Sequence, residues 1–392
     1  MPRFLPFRAL RYAADDLAEV TAPPYDVLSE AEVRALAARS PHNIVHVDVP
    51  LGDADDRYDR AAAVLADWRS AGVLVADPAP SFTLYRMRFA DPTGVARDIV
   101  GVLGGLEVVD AGAGGVLPHE RTTPKASTDR LDLTRATRAN LSPVWGLSLA
   151  AGLTGLLAEP GERLGSVQVG AVEHTVERVA DPERVAAIAA AVGAADVLIA
   201  DGHHRYAVSR TYRDEVRAAT GRRDSAAEET LTFVNELVGD QLSVAAIHRL
   251  YAGITVAGLR TALERLFVLE PMPAPDAGTL AAMAAEEFLV LVAPEATWRL
   301  TPRPGAFADV RALDGAWLEA ALDGTAAAVT YQHGLGETVV AVTSGAASAA
   351  VLIRPVSIAE IERTAREGLL MPPKSTFFTP KLLTGLVVRA LS

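Results

Sequence analysis

The sequence predicts an α+β protein in two parts: an N-terminal domain over residues 1–252 and a second, smaller α/β domain over residues 253–392. Three observations point there. Over the first 110 residues, short apolar runs alternate with apolar residues at helical spacing. The stretch from about residue 139 to Val179 reads mainly as β. From about Val256 to Ile353 the texture changes to alternating helix and strand patterns of low polarity. With 392 residues, half of them hydrophobic and 22% charged, the chain can build more than one core and is too apolar for general disorder.

The elements follow in order. Ser29-Glu30-Ala31-Glu32 is a capping box, which predicts a helix to about Arg39. Ile44 to Val49 alternates like a strand, and Asp55 to Ala71 repeats Tyr58, Ala62, Leu65 and Trp68 at helical spacing. Ser81–Phe89 and Ile99–Val109 read as strands around the turn signal Asp91-Pro92-Thr93-Gly94. A Gly-rich loop from Asp110 to Gly115 leads to a polar segment and a helix near Thr128–Ala139. Asp181–Val192 is expected to be a helix, Asp196–Ala200 a short buried strand, and His203 to about Ala219 another helix. Strands near Leu231–Glu236 and Ser243–Ile247 close the first part. In the second, Pro271-Met272-Pro273-Ala274-Pro275 reads as a hinge and Ser357–Gly368 as a helix, before a polar loop and a final apolar strand or helix.

Composition excludes several functions. A net charge of −12 without a basic tail disfavours sequence-independent nucleic-acid binding, which depends on neutralising phosphates. The absence of cysteine rules out disulfides, thiolate metal sites and cysteine nucleophiles. The N-terminal MPRFLPFRAL has Pro and Arg where a signal peptide needs an apolar run, and the longest uncharged stretch, Ala139 to Ala158, contains Pro143 and three glycines. A cytoplasmic protein with no membrane partner is the expectation. Of the 37 basic residues, 34 are Arg, and the three lysines are Lys125, Lys374 and Lys381. A coding bias explains the scarcity. It does not explain the positions, and some phosphate-facing sites need the compact point charge of Lys. Lys125 and Lys374 are the expected phosphate-facing pair, with Lys381 structural.

Five segments carry candidate chemistry. In Val197-Leu198-Ile199-Ala200-Asp201-Gly202-His203-His204-Arg205, an apolar strand runs through a tight turn into a helix start. There the backbone N–H groups and the helix dipole attract anions. His203, His204 and Arg205 could hold phosphate oxygens or assist proton transfer; a capped helix with structural histidines is the plain alternative. His119-Glu120-Arg121-Thr122-Thr123-Pro124-Lys125, with Asp129 and Arg130 close behind, offers an acid–base pair and three cations after the Gly-rich loop, or simply a solvated loop. His248-Arg249 would end a strand and point into the same crevice, or form a surface pair. Met371-Pro372-Pro373-Lys374-Ser375-Thr376-Phe377-Phe378 places Lys374, Ser375 and Thr376 in a loop bracketed by prolines. It lacks the glycines of a Walker motif, and its aromatics suit core packing. In Ala22-Pro23-Pro24-Tyr25-Asp26, two prolines hold Asp26 at a fixed angle. That suits a general base, a magnesium ligand or an ordinary turn.

Through APPYDVLSEAE, WRSAGVLVAD, HERT, ADGHHRYA, IHRL and MPPKSTFFTPKLLTGLV, the chain resembles the prokaryotic domain-of-unknown-function family numbered 1015. These stretches run from about residue 20 to the end. The DGHHR turn is also similar to the phosphate-binding turn of the ParB/sulfiredoxin superfamily, its free-serine kinases in particular. That resemblance implies a ParB/sulfiredoxin-like mixed α/β N-terminal part, with Gly202, His203, His204 and Arg205 at phosphates. It implies an acidic base near the N-terminus, where Asp26 or Glu30 could stand. Sulfiredoxin's cysteine chemistry is impossible here, and ParB-style DNA binding is disfavoured by the acidic charge.

The leading expectation is a phosphotransferase that uses a nucleotide (ATP, ADP or CTP) and Mg2+ on a small hydroxyl-bearing metabolite, with free L-serine the first candidate. Asp26, His119, Glu120 and His204 are the candidate catalytic groups, with Asp26 and Glu120 also candidate metal ligands. Arg121, Lys125, Asp201, Gly202, His203, Arg205, His248, Arg249, Lys374, Ser375 and Thr376 are assigned to phosphate or nucleotide. One site from residues 26, 120, 204 and 374 requires the C-terminal loop to fold back over the first domain. Two alternatives stay open. One is a metal-assisted phosphohydrolase or nuclease built on His119, Glu120, Asp201, His203 and His204; the other is a non-enzymatic nucleotide-binding regulator.

Overall fold

The computed structural model describes residues 1–14, 16–52, 56–91, 94–110, 112–118, 127–371 and 374–391. Helices and sheets both contribute, in an α+β arrangement, as the sequence predicts. The chain divides into two compact units. The first is Met1–Ser243 with Ala365–Leu369 and Pro380–Ser392; the second is Val244–Thr364 with Leu370–Thr379.

A mixed sheet organises the first unit. Its strands lie in the order Val116–Leu117, Val197–Asp201, Val144–Ser148, Glu229–Glu236, Ala96–Glu107, Phe82–Ala90, Val172–Val179 and Glu162–Val169, and Phe4–Leu5 pairs alongside Ala96–Glu107. Val197–Asp201 runs antiparallel to Val144–Ser148, which runs parallel to Glu229–Glu236. Alternate residues bury against the helices Leu153–Ala158 and Pro182–Val192, in a cluster that includes Val102, Val144, Val197, Leu157, Ile188 and Val192. Gly101 and Gly104 are where rings cross the sheet. A Cβ there would meet the Phe233 ring at 2.3 Å and the Phe4 ring at 2.4 Å.

Most of the expected elements form here, including the Ser29/Glu32 capping box: Ser29 Oγ accepts from Glu32 N and Glu32 Oε2 accepts from Ser29 N. The strand expected at Ile44–Val49 does not form; Val45–Asp48 is a helical turn. Asn43 explains the difference. Its side-chain oxygen accepts from Val45 N at 3.2 Å, and its amide donates to Glu19 O and Thr21 O. That caps a turn whose valines are buried without any strand partner.

The last residues of the chain thread across the first unit as a strap. Thr384 exchanges backbone hydrogen bonds with Ala22, and Val388 does so with Leu10. Arg389 pairs with Asn140 and buries its guanidinium on Ala226 O, Glu229 O and the Glu229 carboxylate. Leu383 N donates to Tyr85 Oη, which lies 2.7 Å from Nδ1 of the buried His174.

In the second unit, six strands pair antiparallel in the order Phe267–Met272, Thr297–Pro302, Leu289–Val292, Ala349–Leu352, Ile247–Ala252 and Ala328–His333. Helices cover both faces. Leu289 and Leu291 pack with the helices Val256–Leu263 and Asp314–Leu322, while Val290 and Val292 pack with Thr279–Glu286 and Leu335–Thr343. A strand buried on both sides must be continuously apolar, which is why Leu-Val-Leu-Val shows no alternation. The expected hinge at 271–275 begins inside an edge strand. Pro271 pairs with Trp298, at an edge where a missing N–H is tolerated. The strand expected at Ser243–Ile247 is two strands, Val244–Ala245 and Ile247–Ala252. Among the described residues, no helix is long and apolar enough to cross a membrane.

Candidate functional site

Sheet and helix meet at Asp201-Gly202-His203. The pairing of Val197–Asp201 with Val144–Ser148 shifts register between Ile199 and Asp201, an irregularity that re-aims the end of the strand. Gly202 then takes φ +85° and ψ +30°, a left-handed conformation that favours glycine, and heads the helix His203–Thr220 without any side-chain cap. The guanidinium of Arg205 folds back over this turn. Nη2 donates to Asp201 Oδ2 at 2.7 Å and Nη1 to Pro143 O. A Cβ on residue 202 would lie 2.9 Å from Arg205 Nε, so the glycine makes room for the cation as well as for the turn. Gly202→Ala should cost about 1–2 kcal/mol from the left-handed backbone alone. Urea denaturation measures it, and an unchanged midpoint would contradict this reading.

The strap supplies a second cation. Lys381 Nζ donates to Asp201 Oδ1 at 3.1 Å. Burial pushes the Asp201 carboxyl up, but Lys381 and Arg205, with His203 nearby, more than reverse it and hold the group well below the usual carboxylate range. Asp201 is therefore a carboxylate gripped by two cations.

Behind Arg205 lies a buried polar layer. Arg130, on the helix Ser127–Thr137, stacks over the Tyr25 ring at 4.4 Å and donates to Asp48 O at 2.6 Å. Its other nitrogens hold Asp129, which Arg57 and Tyr58 also contact. Burial raises the Asp48 carboxyl above its ordinary range, against the pull of Arg130 and Arg205. Burial disfavours the charge on Arg205, while Asp201, Asp26, Tyr25 and Asp48 more than restore it. The fold thus sets Asp26, from the short 3-10 turn Tyr25–Val27, within electrostatic reach of Arg205. Asp48, Arg130, Asn140, Ser142, Arg205 and Ser209 help line a cavity of about 40 Å3.

Asp26, Asp201, Gly202, His203, His204 and Arg205 all belong to the first unit. His119, Glu120, Arg121 and Lys125 lie outside the described residues. His248, Arg249, Lys374, Ser375 and Thr376 belong to the second unit. His248 does not end a strand; it sits inside Ile247–Ala252, 1% exposed, and its Nδ1 accepts from Ile353 N at 3.2 Å. That is the bonding of a neutral core histidine. Arg249 is also buried. It donates to Ile247 O and Lys374 O and lies over the Tyr331 ring, bracing the loop where Lys374 adopts φ +59°. Among the described residues, no group of three or more His, Asp or Glu is arranged to hold a metal ion.

The sequence expects Lys381 to be structural, and the structure pairs it with Asp201. Asp48, inside the strand expected at Ile44–Val49, carries no sequence signal and is placed beside Arg130 by the fold.

Residues 4–316 match the model of the family described as "Protein of unknown function (DUF1015)". The chain belongs to this family. The DUF1015 match takes in the Asp201-Gly202-His203 turn, Asp26 and Arg130, while Lys381 lies beyond its end. No curated protein matches the chain significantly. Among solved structures, a mutant free serine kinase in complex with ADP is similar over 68% of this chain and 84% of its own, with 13% identity and a TM-score of 0.38. A conserved hypothetical protein from Pyrococcus furiosus is similar over 70% and 92%, with 13% identity and a TM-score of 0.38. SbnI with a C-terminal truncation, from Staphylococcus aureus, is similar over 73% and 86%, with 14% identity and a TM-score of 0.39. Likeness of that degree says nothing about what this chain binds or catalyses.

Proposed function

We propose that the first unit is a nucleotide-dependent phosphotransferase acting on a small hydroxyl-bearing metabolite, with free L-serine the first acceptor to test. One observation carries the reading: a glycine-headed helix start with Arg205 folded over it, and Asp26 within electrostatic reach of that guanidinium. The similarity of the DGHHR turn to phosphate-binding turns points the same way. Phosphoryl transfer needs little covalent help from a protein; it needs positioning and cations where charge accumulates. The backbone at His203 and His204 and the Arg205 guanidinium would meet the phosphate oxygens. Asp26 would take the acceptor's proton as its oxygen bonds to phosphorus and the bridging P–O bond to the nucleotide breaks.

A nucleotide calls for ~300 Å3 or more, so it would lie over the turn and outside the small polar cavity. Mg2+ is usually held by one or two carboxylates together with substrate phosphates, so a single carboxylate such as Asp26 fits where a three-residue cluster is not required. The metal would neutralise phosphate charge.

Phosphorus NMR with ATP, ADP or CTP, Mg2+ and L-serine tests the reading, and a phosphomonoester signal that grows with time is the expected result. Nucleotide-dependent thermal stabilisation without turnover on any acceptor would favour the regulatory alternative. Hydrolysis without transfer would favour the phosphohydrolase.

A further inference from the structure

The sheet of the second unit ends in two edges of opposite character. An edge strand presents a row of backbone N–H and C=O groups without a neighbour, and a protein that stays single guards it with charge, proline or a bulge. Phe267–Met272 is guarded: it carries Glu270 and Pro271, and Pro273 follows. Ala328–His333 is not. It pairs on one side, with Ile247–Ala252, in unbroken register, and it contains no Asp, Glu, Lys, Arg or Pro. Ala328, Val329, Thr330 and Tyr331 are all exposed, Val329 at 43% and Tyr331 at 39%.

The surroundings of this edge are uncharged too. Between Asp323 and Arg354 a single charged residue occurs, Glu337, in a chain that is 22% charged. Burial does not explain the depletion, because nearly half of those residues are exposed. Among them is Val340, 62% exposed, on the helix Leu335–Thr343 that packs beside the strand. Molecules of net charge −12 repel one another, and charge is depleted at the centre of surfaces that bury against a partner. An uncharged, unguarded edge is where two copies meet at least electrostatic cost.

We propose that Ala328–His333 is the self-association surface of this protein, pairing antiparallel with the same strand of a second copy to make one continuous sheet. A two-fold axis perpendicular to the sheet closes that pairing, so it yields a dimer and not a fibre. With the axis at Thr330, that residue faces itself, and Val329 of each copy faces Tyr331 of the other. Aromatic and β-branched residues in direct opposition are a favourable cross-strand pair. Tyr331 is already held in place for it, with the Arg249 guanidinium 4.8 Å from its ring centre. The proposal does not depend on the phosphotransferase reading.

Analytical ultracentrifugation of the full chain tests it: the wild type should pass from one chain to two as concentration rises. Thr330→Lys sets two like charges opposite each other at the axis and should raise the dimer dissociation constant about tenfold or more. Thr330→Cys is the milder second variant. The chain has no cysteine, so this is its single thiol, and paired Cα atoms about 4.5–5.5 Å apart admit a disulfide. Mild oxidation should link Thr330→Cys into covalent dimers, whereas Val268→Cys, at a comparably exposed position on the guarded edge, should stay single. A wild type that remains monomeric up to about 100 μM, weaker than specific interfaces of ordinary size, overturns the proposal. So does a dimer that keeps its strength in Thr330→Lys, or one that crosslinks no better through position 330 than through 268, since the contact then lies elsewhere.

Discussion

On the phosphotransferase reading, Arg205→Ala should lower phosphotransfer by about a thousandfold, the upper range for removing one preorganised charge donor, and on any reading it should cost about 3 kcal/mol of stability by breaking a buried pair. Both effects have one cause. The guanidinium bonds Pro143 O on one side and Asp201 on the other, so it braces the strand–helix junction while presenting charge at the turn. Arg205→Lys should recover little, since an ammonium cannot span the carbonyl and the carboxylate together. Urea denaturation and phosphorus NMR on the same samples separate the two roles. A variant destabilised by that amount but fully active would reduce Arg205 to a structural brace.

Acidification should destabilise each unit through a different histidine. Burial pulls His174 in the first unit down to about 4 from its ordinary 6.5. Burial, then Arg249 and His333, do the same to His248 in the second, also to about 4. Both are neutral when folded, and the His248 ring accepts a backbone N–H through the nitrogen that would otherwise be protonated. Between about pH 4 and 6.5, the unfolded chain holds protons that the folded chain does not, so stability rises with pH in that window. It is fully present above 6.5, falls as pH drops, and levels off below about 4. The slope per histidine is about 1.4 kcal/mol per pH unit. His174→Asn should therefore flatten the acid response of the first unit, at a cost at neutral pH from the lost Tyr85 contact. Denaturation midpoints at pH 7 and 4.5, with and without the substitution, measure this. Parallel losses in both proteins would contradict it.

Local rules decided much of the fold. The helices that start at Ser29 and Asp181 form where local side chains cap their first backbone groups, and the left-handed glycine at 202 turns the chain into the helix His203–Thr220. Where the reading failed, a distant partner intervened. Asn43 turned an alternating run into a helical turn by bonding Glu19 and Thr21. Pro271 joined a strand because it fell on an edge. His248 went to the core of the second unit because Ile353, more than a hundred residues on, offered its N–H.

The candidate site divides the same way. Glycine at 202, with histidines and an arginine after it, announces a strand-to-helix turn with unpaired helix-start N–H groups, because these features lie within one turn of chain. The company of Asp201 could not be read locally. Lys381 reaches it from 180 residues away, carried by a strap whose anchors at Ala22, Leu10 and Asn140 are backbone pairings with no sequence signature. Arg130 and Asp48, 82 residues apart, meet at the cavity that Arg205 also lines. The sequence by itself determined that a glycine-headed strand-to-helix turn exists and that lysine is scarce. Only the tertiary structure decided which lysine stands at that turn, because burying a carboxylate there demands cations from wherever the chain can bring them.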